Sequence, residues 1–128
     1  MDNVVLDASA ALAFFKHEPG DDVVRGYIPG ALMSAVNVAE VVGKLAGSGM
    51  AEGEVRAAIA TLGVEILAFD GEHAFATGML GPLTRGRGLS LADRACLTLA
   101  RTQRAAALTA DRSWAELDIG VNVRLIRE

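Results

Sequence analysis

The chain has 128 residues and a mass of 13.3 kDa, and 52% of its residues are apolar. This length predicts one domain over residues 1–128, and the apolar content excludes a largely disordered chain. The net charge of -4 and the pI near 5.1 argue against a generic, basic nucleic-acid coat. The charge is uneven, because residues 1–83 carry eleven acids and four bases whereas residues 84–128 carry five acids and eight bases. Such an asymmetry hints at a charged partner.

Cysteine, histidine and hydropathy patterns exclude several further classes. The one cysteine, Cys96, cannot form an internal disulfide, and a zinc ribbon or finger would need several Cys or His residues at set spacings. His17 and His73 lie far apart, which favours surface positions for both. No apolar run approaches the ~20 residues of a membrane span, and the acidic start of the chain lacks the positive charge of a signal peptide. We therefore expect a cytoplasmic protein without membrane contact.

Apolar runs and chain breakers divide the sequence into alternating strands and helices. The predicted strands cover residues 3–6, 31–34, 64–69, 105–109 and 121–126. The predicted helices cover residues 8–16, 21–28, 36–46, 51–62, 71–80 and 91–104, with helical turns at 112–117 and a loop at 81–88. Ser90 is the expected N-cap of the helix at 91–104. Strands separated by helices indicate a parallel sheet with helices on both faces and right-handed connections.

Four acidic residues stand out by position or by surroundings. Asp7 and Asp111 follow predicted strands, where sites gather in open parallel sheets. Glu40 and Asp93 are framed by small and apolar residues, and burying an unpaired carboxylate is costly. Clustered carboxylates raise each other's pKa, and a divalent cation such as Mg²⁺ or Mn²⁺ removes that cost. In the structural alternative, Asp7 and Asp111 only cap helices, Asp93 only stabilises the first turn of its helix, and Glu40 pairs with Lys44.

Four sequence blocks carry a resemblance to a known family. They are VVLDASAAL at 4–12, SAVNVAEVVGKL at 34–45, LSLADRACLTLA at 89–100 and LTADRSWAEL at 108–117. Each block contains one of the four acids, and any block alone would be unspecific. Together, in this order and spacing, they resemble the PIN-domain nucleases, and most closely the VapC toxins of type II toxin–antitoxin systems. The match covers essentially the full chain.

The resemblance implies a fold, an activity and partners. The fold is a three-layer α/β/α sandwich around a parallel sheet of four or five strands. The activity is an endoribonuclease that uses Mg²⁺ or Mn²⁺, with Asp7, Glu40, Asp93 and Asp111 around the metals; Asp111 has the least uniform role in the family. The chain would form a homodimer, held inactive by a VapB-type antitoxin, and its substrate would be tRNA or a loop of ribosomal RNA.

Several further residues are candidates for supporting roles. Ser9 and Thr109 have hydroxyls that could donate to a carboxylate or to the scissile phosphate, and Asn37 shares a helix face with Glu40. The expected contacts to RNA phosphates around the acidic site are the arginines of residues 85–112, namely Arg85, Arg87, Arg94, Arg101, Arg104 and Arg112, although a solvated face without a partner would also explain them. Cys96 and Trp114 are expected to pack in the core. Met79, Leu80 and the stripe from Val41 to Leu45 would serve either the core or an interface.

Three other functions compete with the toxin. A PIN-domain nuclease of RNA processing would share the same residues. A receiver-like regulatory module would need a Lys after the last strand, whereas the chain ends with Arg124 and Arg127. A catalytically silent binding module would need no acidic site. No Walker loop is present in the sequence, which disfavours an NTPase.

Overall fold

The computed structural model describes residues 3–128, which form five strands, six α-helices and one 3₁₀ turn. The strands are β1 (Val4–Leu6), β2 (Leu32–Ser34), β3 (Glu65–Leu67), β4 (Ala106–Thr109) and β5 (Val123–Leu125). The helices are α1 (Ala8–Lys16), α2 (Asp21–Tyr27), α3 (Ala35–Gly47), α4 (Glu52–Leu62), α5 (Gly71–Leu83) and α6 (Leu91–Gln103). The 3₁₀ turn covers Arg112–Glu116.

The five strands form one parallel sheet in the order β3-β2-β1-β4-β5. Helices cover both faces, which confirms the predicted α/β/α architecture. Val4 and Leu6 of β1 point into an apolar cluster with α1 to α4, whereas Val5 points into a second cluster with α5, α6 and Trp114. This alternation is the two-residue period of a strand that is buried on both sides.

β1 lies at the centre of the sheet, and its position determines where the acids meet. Leu6 pairs with Leu108 of β4, and Val5 pairs with Leu32 of β2. The residues after β1, β2 and β4 therefore emerge next to one another at the carboxyl edge. α6 runs antiparallel to the strands, so its first turn reaches the same edge.

The structure differs most from the predicted boundaries at the end of α5 and at the two edge strands. Residues 81–83, predicted as part of a loop, continue α5 with Pro82 inside the helix. The proline lies in the last turn, and Thr84 closes the helix with its N–H and its hydroxyl, which donate to the Leu80 carbonyl over 3.0 and 2.8 Å. The edge strands β3 and β5 are shorter than predicted because each has a neighbour on one side only.

The core predictions hold for some residues and not for others. Cys96 and Trp114 are fully buried, and so is Val41, as expected for core positions. Leu80 is buried and belongs to the core, whereas its neighbour Met79 is 58% exposed and lies on the surface. Within residues 3–128, no helix is both long and apolar enough to cross a bilayer.

Candidate active site at the carboxyl edge of the sheet

Asp7 follows β1 and lies almost fully buried at the centre of the carboxyl edge. Its Oδ1 accepts a hydrogen bond from the Ala8 N–H at 2.8 Å, so the side chain caps α1. Its Oδ2 accepts hydrogen bonds from the hydroxyls of Ser9 at 2.7 Å and Thr109 at 2.8 Å. Three donors thus fix the orientation of this carboxylate, and one of them comes from β4.

Ser9 and Thr109 join the ends of β1 and β4. Their hydroxyl oxygens are 3.2 Å apart. Ser9 Oγ accepts the Ala110 N–H at 2.9 Å, and Thr109 Oγ1 accepts the Asp111 N–H at 3.0 Å. Each hydroxyl therefore donates to Asp7 and accepts from the backbone that leads to Asp111. Both residues thus fix Asp7 and the backbone before Asp111, and their supporting role in a reaction stays a prediction.

Asp93 and Glu40 are held at the same edge by helices on opposite faces. Asp93 lies in the first turn of α6, where its Oδ2 accepts the Ser90 N–H at 2.9 Å and Ser90 Oγ accepts the Asp93 N–H at 3.0 Å. Ser90 is thus the N-cap predicted from the sequence, within a capping box. Glu40 lies on α3, and no ion pair joins it to Lys44 among the described residues.

Asn37 is fully buried and connects these two helices. Its Nδ2 donates to Glu40 Oε1 at 3.1 Å and to the Ala92 carbonyl at 3.0 Å. Both partners are acceptors, so chemistry alone requires the nitrogen on this side of the amide. The Asn37 Oδ1 is left without a donor among residues 3–128. Asn37 thus holds Glu40 against the segment that carries Asp93.

Asp111 is exposed and caps the 3₁₀ turn. Its Oδ1 accepts from the N–H of Ser113 at 3.0 Å and from the Ser113 hydroxyl at 2.7 Å. Ser113 is a supporting residue that the sequence analysis missed, and the Asp-x-Ser spacing of a side-chain turn was the signal for it. The capping expected under the structural alternative is present at Asp7, Asp93 and Asp111. It positions the three acids and leaves one oxygen each of Asp93 and Asp111 without a hydrogen bond from residues 3–128.

The pKa shifts of Asp7 and Cys96 show which carboxylate charges reach these two buried groups. Burial raises the pKa of Asp7 above its ordinary value of 3.8, the charge of Asp93 raises it further, and the hydroxyls of Ser9 and Thr109 oppose the shift. Burial also raises the pKa of the Cys96 thiol, and the charges of Asp7, Asp93 and Glu40 add to this shift. The charges of all three carboxylates thus reach the buried thiol, and Asp93 is the carboxylate whose charge acts on Asp7.

A model of the PIN domain family matches residues 4–120. The chain belongs to the PIN domain family. No curated protein matches it in sequence.

The fold of this PIN domain is shared with solved toxin structures of low sequence identity. A toxin–antitoxin complex from Klebsiella pneumoniae superposes with a TM-score of 0.75 at 18% identity, covering 98% of each chain. VapBC2 from Rickettsia felis, bound to a promoter DNA fragment, gives 0.73 at 15% identity, covering 96% of this chain and 98% of the other. VapC20 from Mycobacterium tuberculosis, described as a sarcin–ricin loop cleaving toxin, gives 0.72 at 16%, covering 93% and 98%.

The arginines of the PIN domain that were predicted to contact RNA are not equivalent in the structure. Arg85, Arg87 and Arg112 are exposed. Arg94 is partly buried, and its guanidinium lies against α5, 3.5 Å from the Thr77 carbonyl oxygen. The first three side chains are therefore open to a phosphate, whereas that of Arg94 packs between α5 and α6.

The carboxylates of this PIN domain can be compared with the needs of a divalent cation. Asp93 Oδ1, Glu40 Oε2 and Asp111 Oδ2 accept no hydrogen bond from residues 3–128. Within those residues, no three His, Cys, Asp or Glu side chains lie close enough to share one ion. Mg²⁺ is commonly held by one or two carboxylates with several waters, so a cluster of three is not required. The free oxygens and the repulsion between Asp7 and Asp93 fit such an ion.

Proposed function

We propose that this PIN domain is a Mg²⁺- or Mn²⁺-dependent endoribonuclease and the toxin of a VapBC-type pair, which inhibits translation by cleaving tRNA or ribosomal RNA. One observation carries the proposal: Asp7 is buried with only neutral donors around it, and the negative charge of Asp93 raises its pKa further. A fold that needed only a cap at this position would be more stable with a neutral side chain. A cation between Asp7 and Asp93 offsets this cost.

The chain would contribute positioning and charge to phosphodiester hydrolysis. Asp7 and Asp93 would hold the metal directly, and Glu40 and Asp111 would act on it through water molecules. When bound, a divalent cation stabilises negative charge on a phosphoryl oxygen and lowers the pKa of water. Ser9 and Thr109 keep Asp7 in one orientation, and Asn37 does the same for Glu40. The exposed arginines Arg85, Arg87 and Arg112 would bind the flanking phosphates of the RNA.

RNA cleavage tests the mechanism. We expect cleavage with Mg²⁺ or Mn²⁺, none with EDTA, and a loss of at least about 100-fold in Asp7→Asn and Asp93→Asn, since the electrostatic stabilisation of the transition state is lost. Asp22→Asn is the control, because this exposed acid lies on α2, away from the site. Equal cleavage by the wild type and both site variants would contradict the metal-nuclease proposal and leave a silent binding module.

Growth experiments separate the toxin from a nuclease of RNA processing. The likeness of this PIN domain to a chain of a solved toxin–antitoxin complex, over 98% of each chain, favours the toxin. Expression of the wild type should arrest growth, and Asp7→Asn should relieve the arrest. Arrest that persists with Asp7→Asn would contradict a toxin that acts through this site.

Two apolar surfaces are available for the proposed second copy and the antitoxin. Phe75, Met79 and Leu83 are 73%, 58% and 64% exposed and lie four residues apart along α5. A groove of about 730 Å³ lies between α3 and α4 and includes Val42, Ile59 and the 48% exposed Ile66. The α5 stripe and the groove are the candidate surfaces for the homodimer and the antitoxin. If the α5 stripe forms the homodimer, Met79→Glu should yield a monomer by light scattering; if the groove forms it, Ile66→Glu should do so. A dimer that neither variant affects would contradict a role of these surfaces in dimerisation.

A further inference from the structure

A polar, basic pocket lies at the amino edge of the sheet, opposite the carboxylates. It has a volume of about 620 Å³ and is formed by the end of α6, the start of β4 and the segment that enters β5. The polar side chains that line it are Asn3, Arg101, Gln103, Arg104, Asn122 and Arg124. No acidic residue among residues 3–128 lines this pocket. Its chemistry is therefore the reverse of that at the carboxyl edge.

Arg101 and Arg104 give the pocket its net positive charge. Both are exposed, and neither pairs with a carboxylate of the described residues. Arg124 is held in place, because its Nη1 donates to the Tyr27 hydroxyl at 2.9 Å and its guanidinium lies 5.7 Å from the centre of the Tyr27 ring. Two arginines with their guanidinium donors free thus stand beside a third that is fixed, and the amides of Gln103 and Asn122 provide further donors.

We propose that this pocket binds phosphate groups, and that it is a second contact for the RNA backbone away from the cleavage site. The ligand must be an oxyanion, since guanidinium groups bind phosphate through paired N–H donors. Asn3 lines the pocket and precedes β1, and Asp7 follows β1, so these two residues are about 13 Å apart at roughly 3.3 Å per strand residue. One phosphate cannot contact both sites. The assignment to RNA rests on the proposed function, whereas the anion site itself does not.

The pocket also has a purely structural explanation, which the conformation of Arg104 makes testable. Arg101 and Arg104 end α6, where basic side chains offset the negative pole of the helix. Arg104 has a φ of 52°, a left-handed conformation in which glycine is usual at a helix end. Arg104→Gly therefore suits the backbone. If the side chain serves only the helix, this variant changes stability and has no effect on ligand binding.

The test measures binding in the presence of EDTA, so that it does not depend on cleavage. The probe is a fluorescently labelled single-stranded RNA, followed by anisotropy over a range of salt concentrations. We expect the double variant Arg101→Ala/Arg104→Gly to bind about tenfold or more weakly. The slope of log affinity against log salt should fall by about 1.4, which corresponds to two phosphate contacts on a single strand. Arg56→Ala is the control, because Arg56 is an exposed helical arginine paired with Glu52.

Three further results complete the test. The melting temperature of the double variant should stay close to that of the wild type, which excludes misfolding as the cause of weaker binding. A dinucleotide, too short to reach both sites, should bind the double variant and the wild type equally at the carboxyl edge. Unchanged affinity and salt slope for the long RNA would overturn the proposal. Tight binding of inorganic phosphate that depends on Arg104, without any effect on RNA, would overturn the RNA assignment in favour of a free anion.

If the chain proves not to be a nuclease, the result of this experiment still stands on its own. Binding of the long RNA that depends on Arg101 and Arg104, in a protein that does not cleave RNA, would support the pocket and contradict only the proposed activity.

Discussion

Asp7 shows how burial and a nearby charge affect one carboxyl group. Its pKa is raised in the folded protein, chiefly by burial, so the folded state binds the proton more readily than the unfolded chain. Folding stability attributable to Asp7 therefore decreases as the pH rises from about 4 through the folded-state pKa, and it is constant above that value. The ionised group is tolerated because Ser9, Thr109 and the Ala8 N–H donate to it.

This linkage predicts the behaviour of Asp7→Asn without metal. The neutral side chain does not titrate, so the stability of the variant relative to the wild type should increase with pH and level off above the folded-state pKa. Urea denaturation in EDTA at a series of pH values measures this difference. Asp22→Asn, on the exposed surface of α2, should show no such trend. A difference between Asp7→Asn and the wild type that does not vary with pH would contradict the raised pKa.

Thr109 offers a second prediction at the level of one residue. Thr109→Val keeps the side-chain shape but removes the hydroxyl that donates to Asp7 and accepts from the Asp111 N–H. We expect a loss of about 1–3 kcal/mol in the free energy of unfolding and a decrease in kcat, since buried polar groups lose a partner. Thr102→Val removes the hydroxyl bond to the Thr98 carbonyl in α6 and should leave kcat unchanged. Equal kcat for the two variants would contradict a role of Thr109 in the site.

Among the elements, the turn between α1 and α2 is fixed against β5. Gly20 has a φ of 97°, and a Cβ atom there would lie 2.5 Å from the Ile126 carbonyl oxygen. Gly30 has a similar φ of 89° but open space around it. Both substitutions to alanine incur backbone strain of about 1–2 kcal/mol. Only Gly20→Ala adds a clash with the backbone, so it should destabilise the protein by clearly more than Gly30→Ala in thermal or urea unfolding. Equal losses would indicate that β5 adapts.

Individual elements could be predicted from the sequence better than their contacts. Glycines, prolines and apolar periodicity determine where most strands and helices lie. The glycines and the proline of residues 81–88 predicted a loop, whereas residues 81–83 belong to α5. The four acids were identified by their blocks and surroundings. The contact of Ser9 with Thr109, 100 positions away, depends on the pairing of β1 with β4. The residues near Ser9 in the chain do not reveal that pairing. The contact of Asn37 with the Ala92 carbonyl could not be predicted for the same reason.

Over the whole molecule, the charges separate into a site and a neutral remainder. Without Asp7, Glu40, Asp93 and Asp111, the chain has twelve acids and twelve bases. The net charge of -4 therefore equals the charge of the proposed metal site, and bound divalent cations would offset it. An acidic pI is thus compatible with RNA as the substrate. Residues 84–128 carry eight bases and five acids, so this part of the chain is positive even with Asp93 and Asp111 ionised.

This distribution predicts how salt affects RNA binding at the carboxyl edge. Replacing both Arg85 and Arg87 by alanine should weaken binding and reduce the salt slope by about 0.7 for each lost phosphate contact. Arg25→Ala is the matched control, because Arg25 already pairs with Asp21 on α2. Anisotropy titrations at several salt concentrations measure both quantities. An unchanged slope would show that the loop after α5 faces solvent only.

Trp114 has a practical consequence for experiments on this protein. It is the one tryptophan of the chain, it is fully buried, and it lies in the 3₁₀ turn that Asp111 caps. Its indole is thus an intrinsic fluorophore in a single environment, next to the edge where the acids gather. Its emission should be blue-shifted in the folded protein and move to the red on unfolding. Unfolding of the unlabelled chain, with and without a divalent cation, can therefore be followed optically, without a substrate and without a dye.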